Sequence, residues 1–173
     1  MTGPSVPPDL VVSADGAARW RGRTLRCALG RGGIRTDKRE GDGATPAGRW
    51  RLVRALWRPD RGAAPETALP VAPVGRDDGW CDDPASADYN RPVRLPHPAS
   101  CERMWRDDGL YDLVVVTDHN ASPPVAGAGS AIFVHVARPD WGPTEGCVAF
   151  PETDLRAILK EWTETDRLVV TAA

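Results

Sequence analysis

Glycine and proline break this chain too often for it to be built from long helices. There are 17 of each in 173 residues, and both punctuate secondary structure instead of extending it. Between the breaks lie short β-favouring runs. "LVVSADGAARWRGRTLRCALG" carries two turn dipeptides, Asp15-Gly16 and Arg21-Gly22, which predict strands near 9–14, 17–21 and 24–29. "RWRLVRALW", "YDLVVVTD" (111–118), "SAIFVHVA" (130–137) and "DRLVVTA" read as further strands. Only "PETDLRAILKEW" changes period. Its Leu155, Ile158, Leu159 and Trp162 form one apolar stripe, which predicts a helix over 152–163. "SCERMW" predicts one helical turn capped by Ser100.

The predicted fold is therefore mainly β: a sandwich of two packed mixed sheets or a flattened barrel, with a short C-terminal helix on one side. Residues 1–8 read as a flexible Pro-rich leader and 9–173 as one domain. Two polar stretches interrupt the strand pattern. Residues 31–50 read as a long structureless loop, and 59–98 as an insertion placed to cap a site.

A net charge of −2, with bases scattered among acids, gives no electrostatic reason to bind nucleic acid. No run approaches the ~20 apolar residues of a membrane span. "MTGPSVPPDL" has neither the basic nor the apolar region of a secretory signal. The four cysteines, Cys27, Cys81, Cys101 and Cys147, lack zinc-finger spacing, so no metal site is expected. Cys81 with Cys101 is the first disulfide to examine, and Cys27 and Cys101 read as structural. His97 and His119 read as ordinary histidines.

"HVARPDWGPTEGCVAF" carries the chemistry. A thiol needs a base or a positive neighbour to act as a nucleophile near neutral pH, and histidine is the usual partner. His135 ends a predicted strand, and a loop rich in proline and glycine can return the chain to place Cys147 beside it. Gly146 permits a tight backbone path and leaves amides open to an oxyanion. Spacing alone leaves a second reading open, a core histidine and a buried thiol sharing a segment.

"IFVHVA" followed by "TEGCVAF" resembles the L,D-transpeptidase catalytic domain, the YkuD-like family. Its pattern is a histidine, a loop, then Ser/Thr-x-Gly-Cys and an aliphatic residue. Here these are His135, Thr144, Gly146, Cys147 and Val148. "KREGDGATPAGRWRL", "GWCDDPASADYN" and "GSAIFVH" extend the resemblance over about 9–172, to the family's short proteobacterial branch. Glu145 stands where many members have histidine, and Ala149 where they have arginine or asparagine.

The resemblance implies a peptidoglycan transpeptidase with no metal or organic cofactor, expected as a monomer in the periplasm. Cys147 attacks a stem-peptide carbonyl to give a thioester, and the amine of a second stem resolves it into a 3-3 or 1-3 cross-link. His135 moves the protons, and the amides of Gly146 and Cys147 hold the oxyanion. Arg138, Trp141 and Thr144, with Trp80, Tyr89 and Asn90 from the insertion, are the expected substrate contacts. Two rivals stand beside this: an L,D-carboxypeptidase or amidase with the same Cys–His pair, and a non-catalytic wall-binding module.

Overall fold

The computed structural model describes residues 9–172, so the predicted leader at 1–8 lies outside the described residues. Strands β1 (Leu10–Val12), β2 (Ala17–Trp20) and β3 (Arg23–Arg26) form an antiparallel meander over the two predicted turns. β4 (Ile34–Arg35) and β5 (Thr45–Pro46) pair in parallel, followed by β6 (Gly48–Trp50) and β7 (Leu52–Trp57). The region after Pro59 supplies β8 (Val71–Pro73), β9 (Asp78–Cys81), β10 (Pro92–Arg94) and β11 (Cys101–Arg103). β12 (Leu113–Thr117), β13 (Phe133–Val136), β14 (Val148–Phe150), helix α1 (Glu152–Glu161) and β15 (Leu168–Val170) complete the chain.

Two five-stranded mixed sheets dominate, ordered β3-β2-β1-β15-β6 and β14-β13-β12-β7-β8. β10-β9-β11 forms a third sheet, and no barrel closes among the described residues. The sandwich is thus the alternative adopted, with α1 completing its core. Leu10, Val12, Trp20 and Leu168 from one large sheet meet Leu113, Val115, Val134 and Phe150 from the other, together with Leu155, Ile158, Leu159 and Trp162. Burying these apolar faces is the main favourable term in folding. β12 alternates between two cores, since Val114 and Val116 face the opposite way, into a second cluster with Phe133, Tyr111, Trp80 and Cys147. That second face carries the site.

Two local expectations are corrected. The predicted turn at Ser100–Trp105 is strand β11, because Cys101, Glu102 and Arg103 pair with Cys81, Trp80 and Gly79 of β9. Pairing with a neighbouring strand outweighs local helix propensity in so short a segment. The stretch 31–50 is ordered, with β4, β5 and β6 in it, the Lys38–Asp42 ion pair across its tip, and Asp42 also accepting from the Arg39 and Ala44 amides. α1 has no side-chain N-cap bond, but Glu152 and Asp154 in its first turn and Lys160 in its last suit the helix dipole.

Trp162 follows α1 and stacks on Trp20 with ring centroids 5.3 Å apart, joining helix to sheet. Trp162→Ala is expected to lower stability by about 3–5 kcal/mol, the usual cost of emptying a buried aromatic site. Urea unfolding of the variant checks this.

Candidate active site

β13 and β14 run parallel, with Val134 opposite Val148 and His135 opposite Ala149. Cys147 lies two residues before Ala149, so side-chain alternation puts it on the same sheet face as His135, diagonally adjacent. The connection 137–147 makes this parallel return possible. Within it Asp140 Oδ1 accepts the Gly142 amide at 2.9 Å, and the Trp141 amide donates to Arg138 O at 3.0 Å. Thr144 Oγ1 donates to Cys147 O at 2.7 Å and accepts from the Gly146 amide at 3.1 Å. Its backbone pairs with Leu29 and Arg31 on the neighbouring segment.

Gly146 takes φ +133°, and a Cβ there would stand 2.7 Å from Ala44 O. Only glycine fits this turn against the 43–45 segment.

The Cys147 sulfur is held on two sides. It donates to Ala131 O at 3.2 Å and accepts the Phe133 amide at 3.3 Å. His135 is not among its hydrogen-bond partners. The imidazole Nδ1 lies 2.9 Å from Val136 O. A carbonyl can only accept, so Nδ1 carries the proton and the neutral ring keeps its lone pair on Nε2. Tyr111 packs edge-on against the ring at 5.4 Å.

Burial sets the charge state. It pushes the Cys147 thiol up to about 12, with Glu102 adding to the effect. It lowers His135 to about 4, against the backbone bond to Val136, which favours the cation. The resting pair is a neutral thiol and a neutral imidazole. This differs from the thiolate–imidazolium pair that a depressed thiol pKa would signal. The cause is desolvation, which disfavours both charged forms and is the largest influence on each group.

Both residues line one cavity of about 430 Å³, a size suited to a small ligand or a peptide segment. Arg138, Thr144, Glu145 and Ala149 also line it. Arg138 is exposed at the mouth. Thr144 has its hydroxyl spent on the loop, as described. Trp141 is absent from the lining and lies under the Arg26 guanidinium at 4.2 Å, pinning the loop.

Trp80, Tyr89 and Asn90 stand behind the cavity wall. Asn90 Oδ1 accepts from Trp80 Nε1 at 2.9 Å and from the Ala131 amide at 3.0 Å, while Nδ2 donates to the carbonyls of His119 and Asn120. Tyr89 donates to Glu40 at 2.5 Å and accepts the Gly129 amide at 3.0 Å. These three fix the 129–131 segment, whose last carbonyl holds the sulfur; Ala131 takes φ +52° there. Of the insertion 59–98, Asp82 alone lines the cavity.

Several lining residues, Glu40, Asp82, Glu102 and Arg106 among them, were not singled out from sequence, and Ser130 read as a support for the histidine or a plain turn. Glu102 accepts the Tyr111 hydroxyl and faces Arg106 at 3.6 Å; Ser130 donates to Glu40 at 2.7 Å. Burial raises the Glu102 carboxyl pKa. The cavity thus offers four carboxylates (Glu40, Asp82, Glu102, Glu145) and two guanidinium groups (Arg106, Arg138) around one thiol and one imidazole. No linear spacing joins them, because β9–β11 pairing delivers Asp82 and Glu102. The one available hint was charge in "SCERMW", a segment otherwise suited to burial.

Three outcomes are expected. Asn90→Ala strands the Trp80 Nε1 and Ala131 N–H donors, costing about 1–3 kcal/mol for each, measured by urea unfolding. Iodoacetamide alkylation of Cys147 should be slow at pH 7 and climb toward strongly alkaline pH; a plateau reached by about pH 8.5, the free-thiol value, would contradict the neutral pair. Stability should also fall as pH drops from about 6.5 toward 4. His135 and His119 are both lowered to about 4 by burial, so the unfolded chain binds protons in that window and the folded one does not. Urea midpoints at pH 7 and pH 5 read this directly.

The family model for the L,D-transpeptidase catalytic domain (YkuD) matches residues 9–170, nearly the whole chain. Comparison with the curated proteins and with the solved structures returned no match. The chain belongs to the L,D-transpeptidase catalytic-domain family, cysteine-dependent enzymes of peptidoglycan.

Proposed function

We propose that the protein cross-links peptidoglycan stem peptides, with Cys147 as nucleophile and His135 as general base and acid. The observation that carries this reading is the tautomer of His135. Its Nδ1–H is held by Val136 O, so the free lone pair is on Nε2 of a residue that lines the same cavity as Cys147.

In the first step the sulfur attacks the donor carbonyl and the thiol proton passes to His135 Nε2. Because both groups rest uncharged, the proton moves as the S–C bond forms. The Cys147 amide serves the oxyanion; the Gly146 amide is engaged with Thr144 Oγ1 and contributes by holding the turn. The C–N bond to the C-terminal D-residue then breaks, and its amine leaves with the proton from His135. In the second step the amine of an acceptor stem attacks the thioester and gives its proton to His135 Nε2. Collapse breaks the C–S bond, and the sulfur takes that proton back as thiol.

The cavity's mixed charge suits this pair of substrates. Arg138 and Arg106 complement stem carboxylates, and Glu40, Asp82 and Glu102 complement the ammonium of an acceptor before it is deprotonated. The substrate places the reaction in the periplasm, outside the cytoplasmic membrane.

The test is incubation with purified disaccharide-peptide muropeptides and mass spectrometry of the products. Cross-linked dimers are expected from the wild type and none from Cys147→Ala. His135→Ala is expected to slow dimer formation by about 10²–10⁴-fold, the usual worth of a positioned acid–base. Shortened monomers without dimers would assign a carboxypeptidase instead. Activity undiminished in Cys147→Ala would remove the nucleophile. Fragmentation of the dimer distinguishes 3-3 from 1-3 links.

A further inference from the structure

On the far side of the small sheet from the catalytic cysteine, Cys81, His97 and Cys101 come together. One ligand atom from each lies within 4.8 Å of the other two. We propose that these three residues form a binding site for a thiophilic divalent metal ion, zinc by their chemistry.

Sheet register creates the sulfur pair. Cys81 stands directly opposite Cys101 in the antiparallel β9–β11 ladder. The flanking bonds, Asp82 N–H to Ser100 O at 3.2 Å and Met104 N–H to Asp78 O at 2.9 Å, place this pair at a non-hydrogen-bonded position. Opposed side chains approach most closely at such positions. Both cysteines are free thiols.

The histidine is prepared for the same place. Asp88 Oδ2 lies 3.2 Å from His97 Nε2, the carboxylate–histidine arrangement that commonly backs a metal-bound imidazole. With Nε2 carrying the proton toward Asp88, the lone pair is on Nδ1. Nδ1 now accepts the Ala99 amide at 3.2 Å, at the long end of the hydrogen-bond range, and Ala99 O accepts the Cys101 thiol at 3.3 Å. An ion would replace both of these weak bonds.

The dimensions are close to those required. Zinc–sulfur bonds of about 2.3 Å and zinc–nitrogen bonds of about 2.0–2.1 Å put tetrahedral ligand atoms about 3.5–3.8 Å apart. The cluster therefore needs to tighten by about 1 Å. Cys81 is fully buried and the His97 side chain only 15% exposed, which shields the ion, while the half-buried Cys101 is the side nearest solvent, where water would be the fourth ligand. Binding breaks two S–H bonds, releases both protons to solvent, and forms two sulfur–metal bonds and one nitrogen–metal bond. A disulfide would use the sulfurs alone and give the histidine and Asp88 no part.

The site also bears on the catalytic cavity. Asp82 follows Cys81 and Glu102 follows Cys101, and both line that cavity. An ion across β9 and β11 would fix the strand pair that carries these carboxylates.

The experiment is equilibrium dialysis of the reduced, metal-free full chain against Zn(II), with bound metal measured by atomic emission and Co(II) as optical probe. One equivalent per chain is expected, with a sulfur-to-cobalt charge-transfer band and a zinc-dependent rise in Tm. Cys147→Ala should keep all three, since that thiol is not a ligand. Cys81→Ser and Cys101→Ser should lose the band and the Tm response while circular dichroism shows the fold retained. Asp88→Asn, a milder change on a half-exposed side chain, should weaken zinc about 10–100-fold. No uptake by the reduced wild type, or uptake undiminished in Cys81→Ser and Cys101→Ser, would overturn the site. Failure to bind zinc together with a Cys81–Cys101 disulfide after air oxidation would reassign the pair as redox-active. None of these readouts depends on transpeptidation, so the site and the proposed activity stand or fall separately.

Discussion

The parallel pairing of β13 with β14 is the constraint on which the site depends. Parallel neighbours cannot be joined by a tight turn, so the chain must leave β13, cross a loop and return. The sequence spends Arg138 to Gly146 on that return, with Asp140, Trp141 and Thr144 each tying the loop to itself or to a neighbour. The turn closes at Gly146, where the backbone passes against Ala44 and only glycine has room. The result is a thiol and an imidazole on one face of two adjacent strands, with no helix dipole or metal needed to place them.

Burial that stabilises the sandwich also decides the chemistry. The second core cluster runs from Val114 and Phe133 directly to Cys147, so the sulfur sits against apolar side chains, with Ala131 O and the Phe133 amide as its hydrogen-bond partners among the described residues. Such surroundings disfavour a thiolate and an imidazolium alike. In the proposed mechanism, a nucleophile kept as thiol is protected from oxidation and alkylation until a substrate arrives. The proposed base, with its proton fixed on the far nitrogen, keeps a lone pair on Nε2 for the transfer. The mixed ring of carboxylates and guanidinium groups around the pair comes mostly from other elements, so the proposed recognition and the proposed chemistry fall to different parts of the sheet system.

Much of this was legible in the sequence where residues act through local pattern. The alternation of "YDLVVVTD" and "SAIFVHVA" marked the two central strands, and the Leu155–Trp162 stripe marked the helix. The histidine and the Thr-x-Gly-Cys step marked the candidate site, and His135, Thr144 and Cys147 line one cavity. What escaped depends on partners far along the chain. β11 has the length of a helical turn and becomes a strand only because β9 lies alongside. Asn90 reads as a substrate contact until its amide is seen holding Ala131, Trp80 and two carbonyls together. Glu102 reaches the cavity through register, and so do the sulfurs of Cys81 and Cys101, whose linear spacing argued against a metal. The charge state of Cys147 escaped for a related reason: a Cys–His motif names the partners, and only three-dimensional burial shows that the neutral forms win.

The central claim is therefore about a proton: at rest it is on sulfur, and His135 is neutral with its own proton on Nδ1. Nitrogen-15 NMR of the histidine ring at pH 7 measures this directly. The account predicts a neutral Nδ1–H tautomer for His135, assigned by comparison with His135→Ala and persisting as pH falls to about 5. An imidazolium at pH 7, with both ring nitrogens protonated, would contradict it.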